Sequence, residues 1–332
     1  MIRFVLTRVV GLLVVLLAMT ALVFALRQIV PSDPARAAVG PNAPAAVVEN
    51  KRVELGLDQP LLVQYQRYLT DVLRGDLGNS VRTQRPVTAD IADRLPASLE
   101  LAVAASLVAA IIGPGLALLE VFLPRPGPLR HLLAAGASAP IFLVGLLLLY
   151  LMWFRLGLSP GGGRLSSPGD APTGPTGLLT VDALLAGRPV LAWDAVQHLA
   201  LPALTLGLPV AVAVGRTLRS SLVGVLRSDQ IRTARSKGLT ETQVVRRHAL
   251  RNASTAPLAM AGLQVGAILT NLLIVERIFS WPGLGLYTIQ ALGADDLTAV
   301  LGVSLLFGAI YIVMNALVDV LQGLSDPRVG VR

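Results

Sequence analysis

The stretch LTAVLGVSLLFGAIYIVMNALV, residues 297–318, runs for 22 residues without a charge. A helix needs roughly 20 apolar residues to cross the hydrocarbon core of a bilayer, so this segment is long enough to span. Five further segments share its character: Val9–Leu26, Leu101–Leu119, Leu132–Phe154, Leu199–Gly215 and Asn252–Val275. Each lacks Asp, Glu, Lys and Arg and ends near a charged residue. Leu199–Gly215 is the shortest and holds Pro202 and Pro209, and Pro114 lies in the second segment. Such breakers are tolerated in a membrane where neighbouring helices or a cavity satisfy the freed backbone groups. The pattern predicts an all-α integral membrane protein with six transmembrane helices.

Composition agrees. Of 332 residues, 54% are hydrophobic and 14% charged, with a mean hydropathy of +0.67. A soluble domain carries about 25% charged residues, so a soluble enzyme and a disordered chain are both poor descriptions. The absence of cysteine excludes disulfide frameworks, thiolate nucleophiles and Cys-based metal sites.

The net charge of +8 is explained by where it sits. Arg216–Arg251 carries nine basic residues against the acidic Asp229 and Glu241. Basic loops stay on the cytoplasmic side, and alternation of six spans then puts both termini in the cytoplasm. Residues 27–96 and 155–198 fall outside. No nucleic acid is needed to account for the excess. Arg3 and Arg8 precede the first apolar run, whose 18 residues exceed the 7–15 of a signal-peptide core. That run reads as an uncleaved anchor surrounded by membrane lipid. The expected organisation is a first transmembrane helix at 1–30 and an extracytoplasmic helical segment at 31–96. A five-helix core follows at 97–320, with a cytoplasmic loop at about 216–256, and a tail at 321–332. Ser159–Gly177, rich in Gly, Pro and Ser, reads as loop.

Several activities are excluded by what is missing. Neither Lys51 nor Lys237 stands in a phosphate-binding Gly-x-x-x-x-Gly-Lys-Ser/Thr loop. His131, His198 and His248 are scattered, and no metal site is expected. No nucleophile-elbow motif is present, so the chain is not read as an enzyme. Glu100, Glu120, Glu276 and Asp319 come near spans only at their ends. Proton-coupled carriers place ionisable groups at mid-depth, so an external motor is the better expectation.

The cytoplasmic loop carries the most local information. Asp229–Ser236 can form a short helix that Gly238 ends, as a C-terminal glycine should. Thr240 caps a second helix with Glu241 in its first turn. A helix–Gly–helix knob results, with the small Ala234 and Gly238 permitting close approach.

The segment Arg232-Thr233-Ala234-Arg235-Ser236-Lys237-Gly238-Leu239 resembles the EAA loop of binding-protein-dependent ABC transporter permeases. The general pattern opens on Glu-Ala-Ala and closes on Ile-x-Leu-Pro. This chain departs at its first Glu and final Pro, but is similar there to the dipeptide/oligopeptide/nickel subfamily, including Arg247-His248-Ala249-Leu250-Arg251-Asn252. The resemblance extends through Pro31-Ser32-Asp33-Pro34, Leu55-Gly56-Leu57-Asp58-Gln59-Pro60, Arg74-Gly75-Asp76-Leu77-Gly78 and Arg94-Leu95-Pro96-Ala97-Ser98-Leu99-Glu100-Leu101. It continues in His198-Leu199-Ala200-Leu201-Pro202-Ala203, in Glu276 to Gly285, and in Asp326-Pro327-Arg328. Ser32 and Gln230 stand where the subfamily commonly has Gly and Tyr.

The resemblance implies a type I ABC importer permease architecture and the first permease of a heterodimer. It implies a second homologous permease subunit, two ATPase subunits or domains, and an extracytoplasmic substrate-binding protein as partners. ATP and Mg would be bound by the ATPases, with no cofactor in this chain. Arg232, Thr233, Ala234, Lys237, Gly238 and Leu239 would form the ATPase-docking surface. Asn271 in the fifth span is a pore candidate, or a helix-packing hydrogen bond. Glu276, Phe279, Trp281, Pro282, Gly283 and Gly285 are candidates for an outer gate, or for interfacial anchoring at Trp281. Short peptides are the expected cargo, with nickel, glutathione or oligosaccharide as alternatives within the family. An ATP-independent channel or secondary carrier is the alternative outside it.

Overall fold

The computed structural model describes residues 2–29, 34–40, 43–122 and 139–325. Of the motifs above, residues 31–33 and 326–328 lie outside the described residues, as do His131 and residues 132–138 of the third predicted span. Among the described residues every regular element is helical, beside one isolated bridge between Asn79 and Pro86. Four helices are long and apolar enough to cross a membrane: Val87–Phe122, Pro189–Leu226, Thr255–Ile278 and the Leu297–Val318 part of the last helix. Leu13–Leu26 and Ile141–Arg155 are shorter apolar helices.

In chain order the helices are α1 (Ile2–Ile29), α2 (Pro34–Val39), α3 (Ala45–Glu54), α4 (Leu61–Leu73) and α5 (Val87–Phe122). Next come α6 (Ile141–Leu148, continuing as π-helical turns over Leu149–Arg155), α7 (Leu179–Leu185) and α8 (Pro189–Leu226). Then follow α9 (Asp229–Ser236), α10 (Glu241–Val244), a π-helical turn Val245–Ala249 and α11 (Leu250–Ala253). The last are α12 (Thr255–Ile278), α13 (Leu284–Leu292) and α14 (Leu297–Ser325). Hydropathy alone marks Leu199–Gly215 as the shortest span, yet it is the middle of the longest helix. Both prolines sit inside α8, and the helix runs on with polar residues at each end.

Two compact units divide the chain: Met1–Leu95 with Tyr287–Ile312, and Pro96–Leu286 with Val313–Arg332. In the first, α4 packs on α1 through Tyr65 and Tyr68, whose rings lie 5.4 and 5.9 Å from that of Phe24. The Tyr65 and Thr20 hydroxyls share a 3.0 Å hydrogen bond. Buried Asp296 accepts from Ser80 Oγ at 2.5 Å, from the Arg82 amide at 3.1 Å and from the Ala299 amide at 3.1 Å. It thereby caps α14 and fixes the 79–86 turn together. Buried Asp90 accepts from the Thr83 and Tyr287 hydroxyls.

The second unit is built around α8. The apolar window of α8 is 67% buried, against 28% for those of α5 and α12, so α8 is the internal helix. It comes within backbone contact of α5 at small residues four apart. Ala203, Gly207, Ala211 and Gly215 of α8 and Ala105, Ala109, Gly113 and Ala117 of α5 are all buried, and Gly207 faces Ala105 while Gly113 faces Ala211 and Gly215. A Cβ on Gly207 would stand 2.6 Å from the Ala105 carbonyl oxygen, and one on Gly215 2.7 Å from that of Gly113. Lipid tails are as apolar as leucine, so helices gain little from burial against each other in a membrane. Backbone-to-backbone dispersion across such a seam supplies the association instead.

Candidate functional site

The 216–253 loop folds as its local sequence dictates. Asp229 sits in the first turn of α9 and Arg235 in the last, each favourable to the helix dipole. The chain then turns through Gly238 at φ +81°, a left-handed conformation open to glycine at no cost. Thr240 Oγ accepts from the Gln243 amide at 3.4 Å, and Gln243 Oε1 accepts from the Thr240 amide at 3.0 Å. This capping box starts α10. The Arg235 guanidinium donates twice to Glu241, at 2.6 and 3.0 Å, and ties the two helices across the glycine. That hydrogen bonding holds the Glu241 carboxyl below the usual carboxylate range.

Ile231 and Ala234 point inward from α9. They join Ala117, Leu218, Leu222, Val244, Ala249 and Ala253 in one buried cluster, with Leu239 packed against it. Ala234 therefore seats the knob and is not at its surface. Arg232, Thr233, Lys237 and Gly238 are the exposed members of the sequence-predicted set. Thr233 Oγ is turned back to the Asp229 carbonyl at 3.0 Å. Thr240→Ala removes one acceptor of the capping box and is expected to cost about 1 kcal/mol locally. Limited proteolysis should then cut faster between residues 238 and 250, with the rest of the cleavage pattern unchanged.

The second group of predicted residues lies at the far end of α12. A 24-residue helix is about 36 Å long, so this end is roughly a membrane thickness from the knob. After Phe279 the chain reverses through Ser280, at φ +50°, into α13. Glu276, Phe279, Trp281, Gly283 and Gly285 are buried, and Pro282 is exposed. The Trp281 indole donates to the Ala97 carbonyl at 2.8 Å, so it is anchored inside the protein. Glu276 Oε1 accepts from Ser98 Oγ at 2.6 Å, and Oε2 from the Leu286 amide at 2.9 Å. Ser98 Oγ accepts in turn from the Leu284 amide at 2.7 Å. Gly283 is required because a Cβ there would fall on the Glu276 carboxylate, and Gly285 because one would stand 2.7 Å from Leu273 Cα. Asn271 is half-buried, and its amide donates to Ala267 O one turn back at 2.8 Å, so that donor is used within α12.

Partners that sequence spacing did not bring together complete this end. Arg164 pairs with Glu100 and lies with its guanidinium carbon 5.6 Å from the Trp281 ring centroid. Thr180 donates to Glu100 through both its amide and its hydroxyl. Glu120, at the other end of α5, pairs with Arg219 at 2.6 Å.

Residues 127–331 match the family described as binding-protein-dependent transport system inner membrane component. Residues 1–102 match the N-terminal family of such membrane components. The chain belongs to the binding-protein-dependent inner membrane component family. This component is 40% identical to the probable D,D-dipeptide transport system permease of Escherichia coli K12, over 96% of this chain and 95% of that one. It is 40% identical to the di/tripeptide transport system permease of Pseudomonas aeruginosa, over 93% of both chains. It is 37% identical to the glutathione transport system permease of Salmonella typhi, over 99% of both. As an inner membrane component it is a transport subunit, and its similarity to these permeases runs through both the knob and the Glu276 reversal.

Proposed function

We propose that this chain is one transmembrane half of an ATP-driven importer for short peptides. Three of its relatives are named as permeases of D,D-dipeptide, di/tripeptide and glutathione transport systems. The observation that carries the mechanism is the knob: a helix–Gly–helix unit seated by Ile231 and Ala234 on the ends of α5 and α8. Such a seat passes a push on the knob to the spans as rigid-body motion. ATP would act because closure of the ATPases favours one permease state over the other.

In this reading six helices cross the membrane, α1 and α6 joining the four long ones, with both termini and the knob in the cytoplasm. Arg232, Thr233, Lys237, Gly238 and Leu239 meet one of two ATPase subunits, which bind the ATP and Mg. Ala234 acts from behind, through its packing. A second permease subunit completes the pore, which α12 and Asn271 line on this side. The reversal from Glu276 to Gly285 forms part of the outer gate, where a substrate-binding protein delivers cargo.

The test is affinity purification from the native membrane in mild detergent. A second permease, ATPase subunits and a binding protein should co-purify, and the ligand released from the binding protein should be a short peptide. Nickel or an oligosaccharide in that ligand would replace the cargo assignment. A homo-oligomer that transports without any ATPase would overturn the importer reading.

A further inference from the structure

The strongest unexplained feature is a fully buried carboxylate with no basic side chain as its partner among the described residues. Glu276 is 0% exposed and Ser98 2%. They come from α12 and α5, 178 residues apart, and meet at the start of α13. The first N–H groups of any helix have no partner within it. Here the Leu284 amide donates to Ser98, and the Leu286 amide to Glu276. One carboxyl group and one hydroxyl thus cap α13 from two other helices. The Trp281 indole adds a bond to the Ala97 carbonyl. Pulling residues 279–286 away from α5 would strand several of these groups in a buried site, and each stranded group incurs its full desolvation cost.

We propose that Glu276 and Ser98 are a positioning pair for the transport cycle. They lock the reversal to the Ala97–Ser98 stretch of α5, so that it moves with α5 as one block instead of swinging as a flap. This rests on the reading of the reversal as part of the outer gate, and goes beyond it by naming what moves with what.

The chain has no cysteine, so introduced cysteines are its only thiols. In the assembled complex, spin labels at Leu99→Cys and Pro282→Cys, both exposed positions, should report the same distance in the resting and ATP-trapped states. A distance that changes between the two states overturns the proposal. Glu276→Ala and Ser98→Ala should each lower binding-protein-dependent transport about tenfold while basal ATPase activity persists, since each strands a buried amide. Glu276→Gln keeps an acceptor for the Leu286 amide and should retain most transport. A merely structural role would instead lower complex yield, basal ATPase and transport together. A bulky maleimide on Pro282→Cys tests the gate reading separately. It should block transport, and failure to do so removes both gate and pair. Block at Pro282 with unchanged transport in Glu276→Ala keeps the gate and removes the pair.

Discussion

Gly215→Leu is expected to prevent the permease from accumulating in the membrane, whereas Gly224→Leu on the same helix should not. At Gly215 a Cβ would stand 2.7 Å from the Gly113 carbonyl oxygen and 3.3 Å from Gly113 C and Cα. Those are backbone atoms of α5, which no rotamer change can move aside. Overpacking a core commonly costs about 1–3 kcal/mol and occasionally more, and backbone against backbone belongs at the upper end. Against a total stability of roughly 5–15 kcal/mol, loss of the seam should reach the whole second unit. At Gly224 no atom lies within 4 Å of the added Cβ, and leucine is the better helix former. The measurement is the amount of protein extracted from membranes as a monodisperse peak. Equal yields for the two variants would show that the α5–α8 seam does not hold the unit together.

That seam illustrates what the chain declares locally and what it does not. Small residues at every fourth position of two apolar stretches predict a close helix crossing, but not which two helices cross. Residues 105–117 meet 203–215 only because the intervening chain returns there. Hydropathy located the four long apolar helices and missed how far α8 extends. Its ends, 189–198 and 216–226, are polar enough to read as loop while keeping helical hydrogen bonding. The knob was legible almost residue by residue, since caps and a C-terminal glycine act over three or four positions. The inward face of α9 lies in the i, i+3 spacing of Ile231 and Ala234, but a small residue there reads equally as a docking surface. The Glu276–Ser98 pair left no such signal. A carboxylate at a span end reads as solvated or interfacial unless the hydroxyl and the helix N-terminus that satisfy it are known.

Gly238→Trp is expected to abolish transport while the protein still inserts and pairs with its partner permease. The residue is exposed and at φ +81°, with open space where a Cβ would go. A Cβ there therefore has open space, and the cost to the fold at that atom is the left-handed backbone, about 1–2 kcal/mol. The buried cluster beneath α9 is untouched, so the knob stays seated. An indole at the tip, by contrast, adds a large side chain where the proposed ATPase cleft must close around the turn. Gly238→Ala separates the two effects, because it carries the same backbone cost with only a methyl group. Alanine should retain a substantial part of transport and tryptophan less than about 1%, a loss of more than roughly 2.7 kcal/mol in coupling relative to glycine at this position. Uptake in reconstituted vesicles and retention of the ATPases on the purified permease are read together. Lost uptake with lost ATPases locates the defect at docking. Normal uptake with normally coupled ATP hydrolysis in the tryptophan variant would mean that the turn does not enter the ATPase, and the coupling assignment would fall with it.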